Sequence, residues 1–197
     1  ETTPLLMTCT SMHHSLSLLL VIIGLQVSVQ STGRRSEFRS VLTVPNGMKW
    51  GSWGYLDLCP NETYAAGFSL KVRWGLTGIR LHCISLSNVL KGSFEDYTSV
   101  HWGWWTDIKW CPCGFLTAFQ LRVESSQLFG DDTAANNIMF RCTQEYLYGD
   151  GTLWGKWGDW SQMCRGTGIC GIKTRIEEPQ GSGDDTALND VRMFCCD

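Results

Sequence analysis

The sequence predicts an all-β protein in which three small sheets close around a pseudo-threefold axis. First, the 21 glycines separate short runs that alternate between apolar and polar residues, and no convincing amphipathic helix is present. Second, a tryptophan motif recurs at intervals of 52 residues, as Trp50-Gly-Ser-Trp53, Trp102-Gly-Trp-Trp105 and Trp154-Gly-Lys-Trp157. Third, a cysteine follows each copy, at Cys59, Cys111 and Cys164. A plain β-sandwich does not explain a threefold repeat.

Each repeat contains two strand-like runs. The first is Phe68-Ser-Leu-Lys-Val72, Phe119-Gln-Leu-Arg-Val123 or Ile172-Lys-Thr-Arg-Ile176, and the second ends in a cysteine, at Cys83, Cys142 or Cys195. Because side chains alternate between the two faces of a strand, the apolar residues of the first runs are predicted to face inward. The repeats span about 40–92, 93–145 and 146–197, and each is expected to form one sheet.

A polar turn precedes the second run in two of the repeats. It reads Gly130-Asp-Asp-Thr-Ala-Ala-Asn136 in repeat two and Gly183-Asp-Asp-Thr-Ala-Leu-Asn189 in repeat three. These are turn-forming residues, whose short polar side chains bind nearby backbone amides. Repeat one lacks the motif, since only Arg73-Trp-Gly-Leu-Thr-Gly78 separates its two runs.

The N-terminal region predicts export. Residues 16–25 form an apolar run of ten, too short for a membrane span and typical of a signal peptide, with small residues for cleavage at Val29-Gln-Ser31. Residues 1–31 are therefore interpreted as an N-terminal extension and signal peptide, and 32–197 as a single domain without a transmembrane anchor. Ten cysteines agree with an oxidising compartment. The sequon Asn61-Glu-Thr63 then predicts a glycan on Asn61.

Equivalence between the repeats predicts the disulfides. Cys59 pairs with Cys83 and Cys111 with Cys142, each closing one sheet, while Cys164 pairs with Cys195 and Cys170 with Cys196; a swap of the last two pairings stays open. Cys9 leaves with residues 1–31. Cys113 is then the odd cysteine, expected to be a free thiol or a link to another molecule.

Several strings of residues closely resemble the vitelline membrane outer layer protein I family. They are Val44-Pro-Asn-Gly47, Trp50-Gly-Ser-Trp-Gly54, the two Gly-Asp-Asp-Thr-Ala turns and Phe194-Cys-Cys196. The resemblance covers roughly 38–197. It implies a β-prism of three four-stranded Greek-key sheets, and a secreted component of extracellular coats. Some similar proteins are linked to transfer reactions on chito-oligosaccharides.

Carboxylates supply weak catalytic candidates, namely Asp131, Asp132, Asp184, Asp185, Glu124 and Glu177. Glycosidic chemistry needs two carboxyls held about 5–5.5 Å or about 6.5–9.5 Å apart. Adjacent aspartates on an extended chain point in opposite directions, so the preferred interpretation is structural: one aspartate of each pair caps the turn and the other faces solvent. A calcium site is less favoured, because no complete calcium-loop spacing is present.

Tryptophans supply the candidates for glycan stacking. Because the Trp-Gly-x-Trp motif recurs in every repeat, packing is its preferred role. Trp104, Trp105 and Trp110 cluster in repeat two alone and are the candidates for stacking on a sugar. The sequence shows no Gly-x-Ser-x-Gly elbow, zinc-ligand cluster or phosphate loop, so no cofactor or metal is predicted.

Composition and motifs leave two main hypotheses. A formal net charge of −3 gives no electrostatic case for nucleic acid. The preferred hypothesis is a non-catalytic structural protein of an extracellular layer, whose partners are extracellular glycoproteins or glycans. The alternative is a transferase or hydrolase acting on chito-oligosaccharides. A lectin is a third, weaker hypothesis that rests on fold analogy.

Overall fold

The computed structural model describes residues 37–86, 90–95, 103–124, 134–177 and 188–197, with 90–95 as backbone only. In these ranges all regular structure is β. The strands are β1 (Ser40–Leu42), β2 (Ser52–Trp53), β3 (Asp57–Leu58), β4 (Thr63–Val72), β5 (Leu76–Ser85), β6 (Leu90–Glu95), β7 (Trp104–Trp105), β8 (Lys109–Trp110), β9 (Ala118–Val123), β10 (Ala135–Arg141), β11 (Tyr146–Tyr148), β12 (Lys156–Trp157), β13 (Gly168–Ile176) and β14 (Leu188–Cys196).

The strands form three antiparallel sheets. Sheet I has the order β1-β14-β13-β2 with β3 also on β13, sheet II has β6-β5-β4-β7 with β8 also on β4, and sheet III has β11-β10-β9-β12. In sheets II and III, three consecutive strands are followed by a fourth that returns beside the first, which is a Greek key. The fold is the predicted all-β prism of three Greek-key sheets with pseudo-threefold symmetry.

The expectation that each repeat forms its own sheet is wrong. The centre of every sheet is the long hairpin of one repeat, and its flanking short strands come from the next repeat along the chain. Sheet II, for example, takes β4 and β5 from repeat one and β6, β7 and β8 from residues 90–110. Sheet I closes the ring, because N-terminal strands β1, β2 and β3 flank the C-terminal hairpin of β13 and β14. Every repeat is thereby joined to the next by backbone hydrogen bonds.

The three sheets turn their inner faces toward one hydrophobic core. The first-run residues Phe68, Leu70, Phe119 and Leu121 are fully buried, as predicted from alternation. Ring centroids of Phe68 and Phe140 lie 4.7 Å apart, so side chains of sheets II and III meet at the axis. The remaining predicted inward residues are buried or half-buried, namely Val72, Val123, Ile172 and Ile176. Burial of each such side chain stabilises the fold by about 1.5–3 kcal/mol.

Disulfides join Cys59 to Cys83, Cys111 to Cys142, Cys164 to Cys195 and Cys170 to Cys196, the pairs that the repeats predict. Their expected role of closing single sheets is wrong for the first three. Cys59 follows β3 of sheet I while Cys83 lies on β5 of sheet II, and the next two bridges join sheet II to III and sheet III to I in the same way. Of these four described bridges, only Cys170–Cys196 lies within one sheet. The three equivalent bridges therefore fasten the corners of the prism.

Cys113 also differs from its expected state. It is disulfide-bonded, and no free cysteine occurs among the described residues. Its partner lies outside the ranges given above, as do residues 1–31, for which the signal-peptide prediction stands untested.

Candidate functional site

The Trp-Gly-x-Trp motif has a structural role that its geometry explains. Its glycines Gly51, Gly103 and Gly155 adopt φ of 77°, 113° and 75°, the left-handed region that favours glycine. A Cβ on Gly51 would lie 2.2 Å from the Ile176 carbonyl oxygen, so no other residue fits. The motif is the point at which the short strand of one repeat crosses closely over the hairpin of the preceding repeat.

The last tryptophan of each motif stacks with a cation on the outer face of a sheet. The Arg80 guanidinium lies 3.9 Å from the ring centroid of Trp105, and the Arg192 guanidinium lies 4.3 Å from that of Trp53. In sheet III, the guanidinium of Arg122 lies 5.9 Å from the Trp157 ring. Because the contact recurs in all three sheets, Trp105 serves to hold β7 on sheet II, a role shared with its equivalents.

Trp110 covers a buried polar pair on the same outer face. Its ring centroid lies 5.5 Å from that of His82, and the His82 Nε2 atom lies 3.1 Å from Ser69 Oγ. Burial, followed by the positive charge of Arg80, lowers the pKa of His82 to about 4. The imidazole is therefore neutral near pH 7. Ser69 and His82 are both at most 3% exposed, so they do not offer a nucleophile to solvent.

Trp104 is the most exposed of the three candidate tryptophans, at 79%. It neighbours Trp105 on β7, so the two side chains leave the strand on opposite faces. Trp105 and Trp110 share a face but pair with residues four apart on β4, which separates them by roughly 13 Å. The cluster seen in the sequence is therefore not one stacking platform.

The candidate carboxylates are divided by the fold. Glu124 and Glu177 directly follow β9 and β13, which belong to sheets III and I. Asp131, Asp132, Asp184 and Asp185 lie outside the described residues. The asparagines that end the two turn motifs, Asn136 and Asn189, are fully buried, and Asn136 Oδ1 accepts a hydrogen bond from Thr152 Oγ1 at 2.6 Å. These asparagines belong to the core.

A groove that the sequence did not predict opens between sheets I and III. Its volume is about 540 Å³, and it is lined by Asn46, Gly47, Met48, Lys49, Trp50, Val123, Lys156, Trp157 and Gly158. We call it the Asn46 groove. One wall is the segment between β1 and β2, and the other is β12 with the end of β9. The two walls come from repeats far apart in sequence, so no local sequence pattern predicted that they form a groove.

The floor of the groove is set by Asn46. Its Nδ2 atom donates a hydrogen bond to the Leu121 carbonyl oxygen at 3.0 Å, which anchors the N-terminal segment to sheet III. Gly158 lies directly beneath, and a Cβ there would be 2.3 Å from the Asn46 amide carbon. Asn46 Oδ1 is buried and has no hydrogen-bond partner among the described residues. A buried acceptor without a partner carries a desolvation cost.

The walls combine aromatic and cationic side chains. Trp50 is 58% exposed, and Trp157 is half-buried. Lys49 and Lys156 are exposed, and neither forms an ion pair with another residue in the ranges that the structure covers. No acidic side chain is among the nine lining residues. The groove therefore has aromatic side chains beside positive charge.

Asn61 lies in the exposed turn before β4, a position accessible to a glycan. Its sequon partner Thr63 is buried, and the Thr63 hydroxyl donates to the Pro60 carbonyl oxygen at 2.8 Å. In the part of the chain that the structure describes, no group of three or more histidine, cysteine or acidic residues could hold a metal ion. The described residues also include no candidate membrane-spanning helix.

Solved structures of low sequence identity share this architecture. A mannose-binding jacalin-related lectin from Ananas comosus matches with a TM-score of 0.51 and 13% identity, over 79% of this chain and 95% of the lectin. Calystegia sepium agglutinin matches with a TM-score of 0.51 and 12% identity, over 81% of this chain and 97% of the agglutinin. At such identities the likeness shows the fold alone.

Sequence relatives are much more similar. The vitelline membrane outer layer protein 1 homolog of Homo sapiens is 44% identical over 193 residues, covering 92% of this chain and 95% of its own. The homolog of Mus musculus is 42% identical over 170 residues, covering 81% and 84%. The sequence model of vitelline membrane outer layer protein I matches residues 40–197. The chain therefore belongs to the vitelline membrane outer layer protein I family.

Proposed function

We propose that this protein is a secreted structural component of an extracellular layer that associates with glycans through the Asn46 groove. The observation that carries the proposal is the groove itself, in which the Trp50 and Trp157 side chains lie beside the Asn46 amide and two exposed lysines. Family membership, the disulfides and the apolar run at 16–25 support secretion.

The groove has the properties that a sugar requires. Its volume of about 540 Å³ falls within the usual range of small-molecule sites, roughly 300–1,000 Å³. Indole faces pack against the apolar faces of sugar rings, and exposed lysine ammonium groups donate hydrogen bonds to sugar oxygens. The walls belong to different sheets that disulfides fasten together, so the groove is preformed. A preformed site loses little conformational entropy on binding.

The test is calorimetric titration with chitohexaose and with a mannose oligosaccharide, the latter because a lectin of this fold is named as mannose-binding. Trp50→Ala should weaken binding about two- to twelvefold, since a stacked aromatic contact contributes on the order of 0.5–1.5 kcal/mol beyond its buried area. Trp74→Ala is the matched control, because Trp74 is 73% exposed but does not line the groove. Equal affinity in both variants would place binding elsewhere. Absence of binding to every glycan tested would overturn the proposal.

The enzymatic hypothesis is tested in the same preparation by turnover of labelled chito-oligosaccharides. Such chemistry needs two carboxyls facing one cleft. The groove has no acidic lining residue among those described, so we expect binding without turnover. Sustained product formation that survives Trp50→Ala would favour a separate catalytic site.

A further inference from the structure

We infer that the Asn46 groove selects an anionic saccharide, one that carries carboxylate or sulfate groups. This inference rests on the proposed glycan association and adds the charge of the ligand. It is carried by the pairing of two exposed cations with two indoles across one groove.

The first step concerns the lysines. Lys49 and Trp50 line one wall of the groove, and Lys156 and Trp157 line the other. Two other surface cations are engaged in ion pairs, since Lys109 Nζ lies 2.7 Å from Asp150 Oδ2 and Arg39 Nη1 lies 2.6 Å from Asp197 Oδ2. Lys49 and Lys156 have no such partner among the described residues. Their charge is therefore available to a ligand.

The second step concerns nearby carboxylates, which could cancel this charge. Asp190 lies behind Gly47 on sheet I, where its Oδ1 accepts a hydrogen bond from the Val191 amide at 2.8 Å. Burial raises the pKa of Asp190, and the positive charges of Arg192 and Arg175 lie near enough to favour its carboxylate. Glu124 follows the lining residue Val123 and already has an interaction partner. Neither carboxylate lines the groove.

The third step is the local sign of the potential. The whole chain carries a formal charge of −3, which repels polyanions at long range. Among the described residues the groove is lined by two lysines and no acid, which reverses that sign locally, and low-dielectric indole walls strengthen the local field. A neutral sugar would gain the stacking alone. An acidic sugar would gain two charge-assisted contacts as well.

The test compares two ligands that share N-acetylglucosamine, namely neutral chitohexaose and a hyaluronan hexasaccharide with a carboxylate on every second sugar. We expect the wild type to bind the hyaluronan probe at least about tenfold more tightly at low salt, and this preference to shrink at high salt because exposed charges are screened. The double variant Lys49→Gln/Lys156→Gln should lose the preference and retain its affinity for chitohexaose.

The matched control is Arg165→Gln/Lys173→Gln, which removes two positive charges that do not line the groove. It should retain the preference. If the wild type binds both hexasaccharides equally, or if both double variants behave alike, the inference is overturned while glycan association stands. If polyglutamate binds as tightly as the hyaluronan probe, the groove recognises charge without sugar, and the inference is also overturned. If neither saccharide binds, the proposed function fails together with it.

Discussion

Lowering the pH should destabilise this protein through His82. The side chain is 3% exposed, and burial together with Arg80 lowers its pKa from 6.5 to about 4. Because the unfolded chain binds the proton more tightly, the stabilising contribution of neutral His82 is fully present above pH 6.5 and is lost as the pH falls toward 4. Linkage between these two pKa values predicts that the free energy of unfolding is lower by about 2 kcal/mol at pH 5 and by about 3 kcal/mol at pH 4 than it is above pH 6.5.

The assay is urea unfolding of the wild type and of His82→Gln, from about pH 7.5 down to about pH 4.5. Glutamine can still bond to Ser69 but does not titrate. Asp190 has a raised pKa, so its contribution has the opposite sign and grows as the pH falls. It is present in both proteins and cancels in the comparison. The wild type should therefore lose about 2 kcal/mol more than the variant between pH 7 and pH 5.

Two results would refute this reasoning. One is a pair of parallel stability curves, which would mean that His82 titrates alike in the folded and unfolded states. The other is a direct NMR titration that places the His82 pKa near its ordinary value in the folded protein. Either result would show that the cover provided by Trp110 does not keep water from the imidazole.

Three further predictions concern stability and modification. Replacing Cys111 and Cys142 by alanine should lower the free energy of unfolding by about 3–4 kcal/mol, because the disulfide closes a loop with a separation of 31 residues. Chemical denaturation measures this loss, and an unchanged denaturation midpoint would contradict the prediction. Trp105→Ala should lower the melting temperature by several degrees because it removes the stack on Arg80, whereas Trp104→Ala, at a 79% exposed position, should leave it nearly unchanged. Enzymatic deglycosylation of the secreted protein should lower its mass, and Asn61→Gln should abolish that shift.

Local features of the fold could be predicted from the sequence, and partnerships between repeats could not. Alternation marked Phe68 and Phe119 as inward residues because that pattern depends only on neighbours in the chain. The same alternation is satisfied whether a short strand pairs within its own repeat or with the preceding repeat. The prediction that each repeat forms its own sheet was therefore wrong. The equivalence of cysteines between repeats predicts the same disulfide pairs whether a bridge closes one sheet or joins two. The pairs were therefore predicted, whereas the joining of neighbouring sheets by three of the bridges was not.

The candidate site was harder to predict because it, too, depends on contacts between repeats. Lys49 and Lys156 belong to different repeats, and nothing in either local sequence indicates that they share a groove. The separation of Trp104 from Trp105 follows from the two-residue period of a strand, and that signal was present in the sequence. Its significance depended on knowing that both residues lie on β7.

Ring closure by β1, β2 and β3 imposes an order of events on biosynthesis. Arg39 contacts Asp197, 158 positions later, so the first strand leaves the ribosome long before its partner exists. At about 5–20 residues per second this delay is roughly 8–30 s. During that interval β13 and β14 are missing, and the strand edges that await them are open to pairing with other chains. Maturation therefore depends on completing the last repeat, and a chain truncated after repeat two would be left as an unclosed, aggregation-prone intermediate.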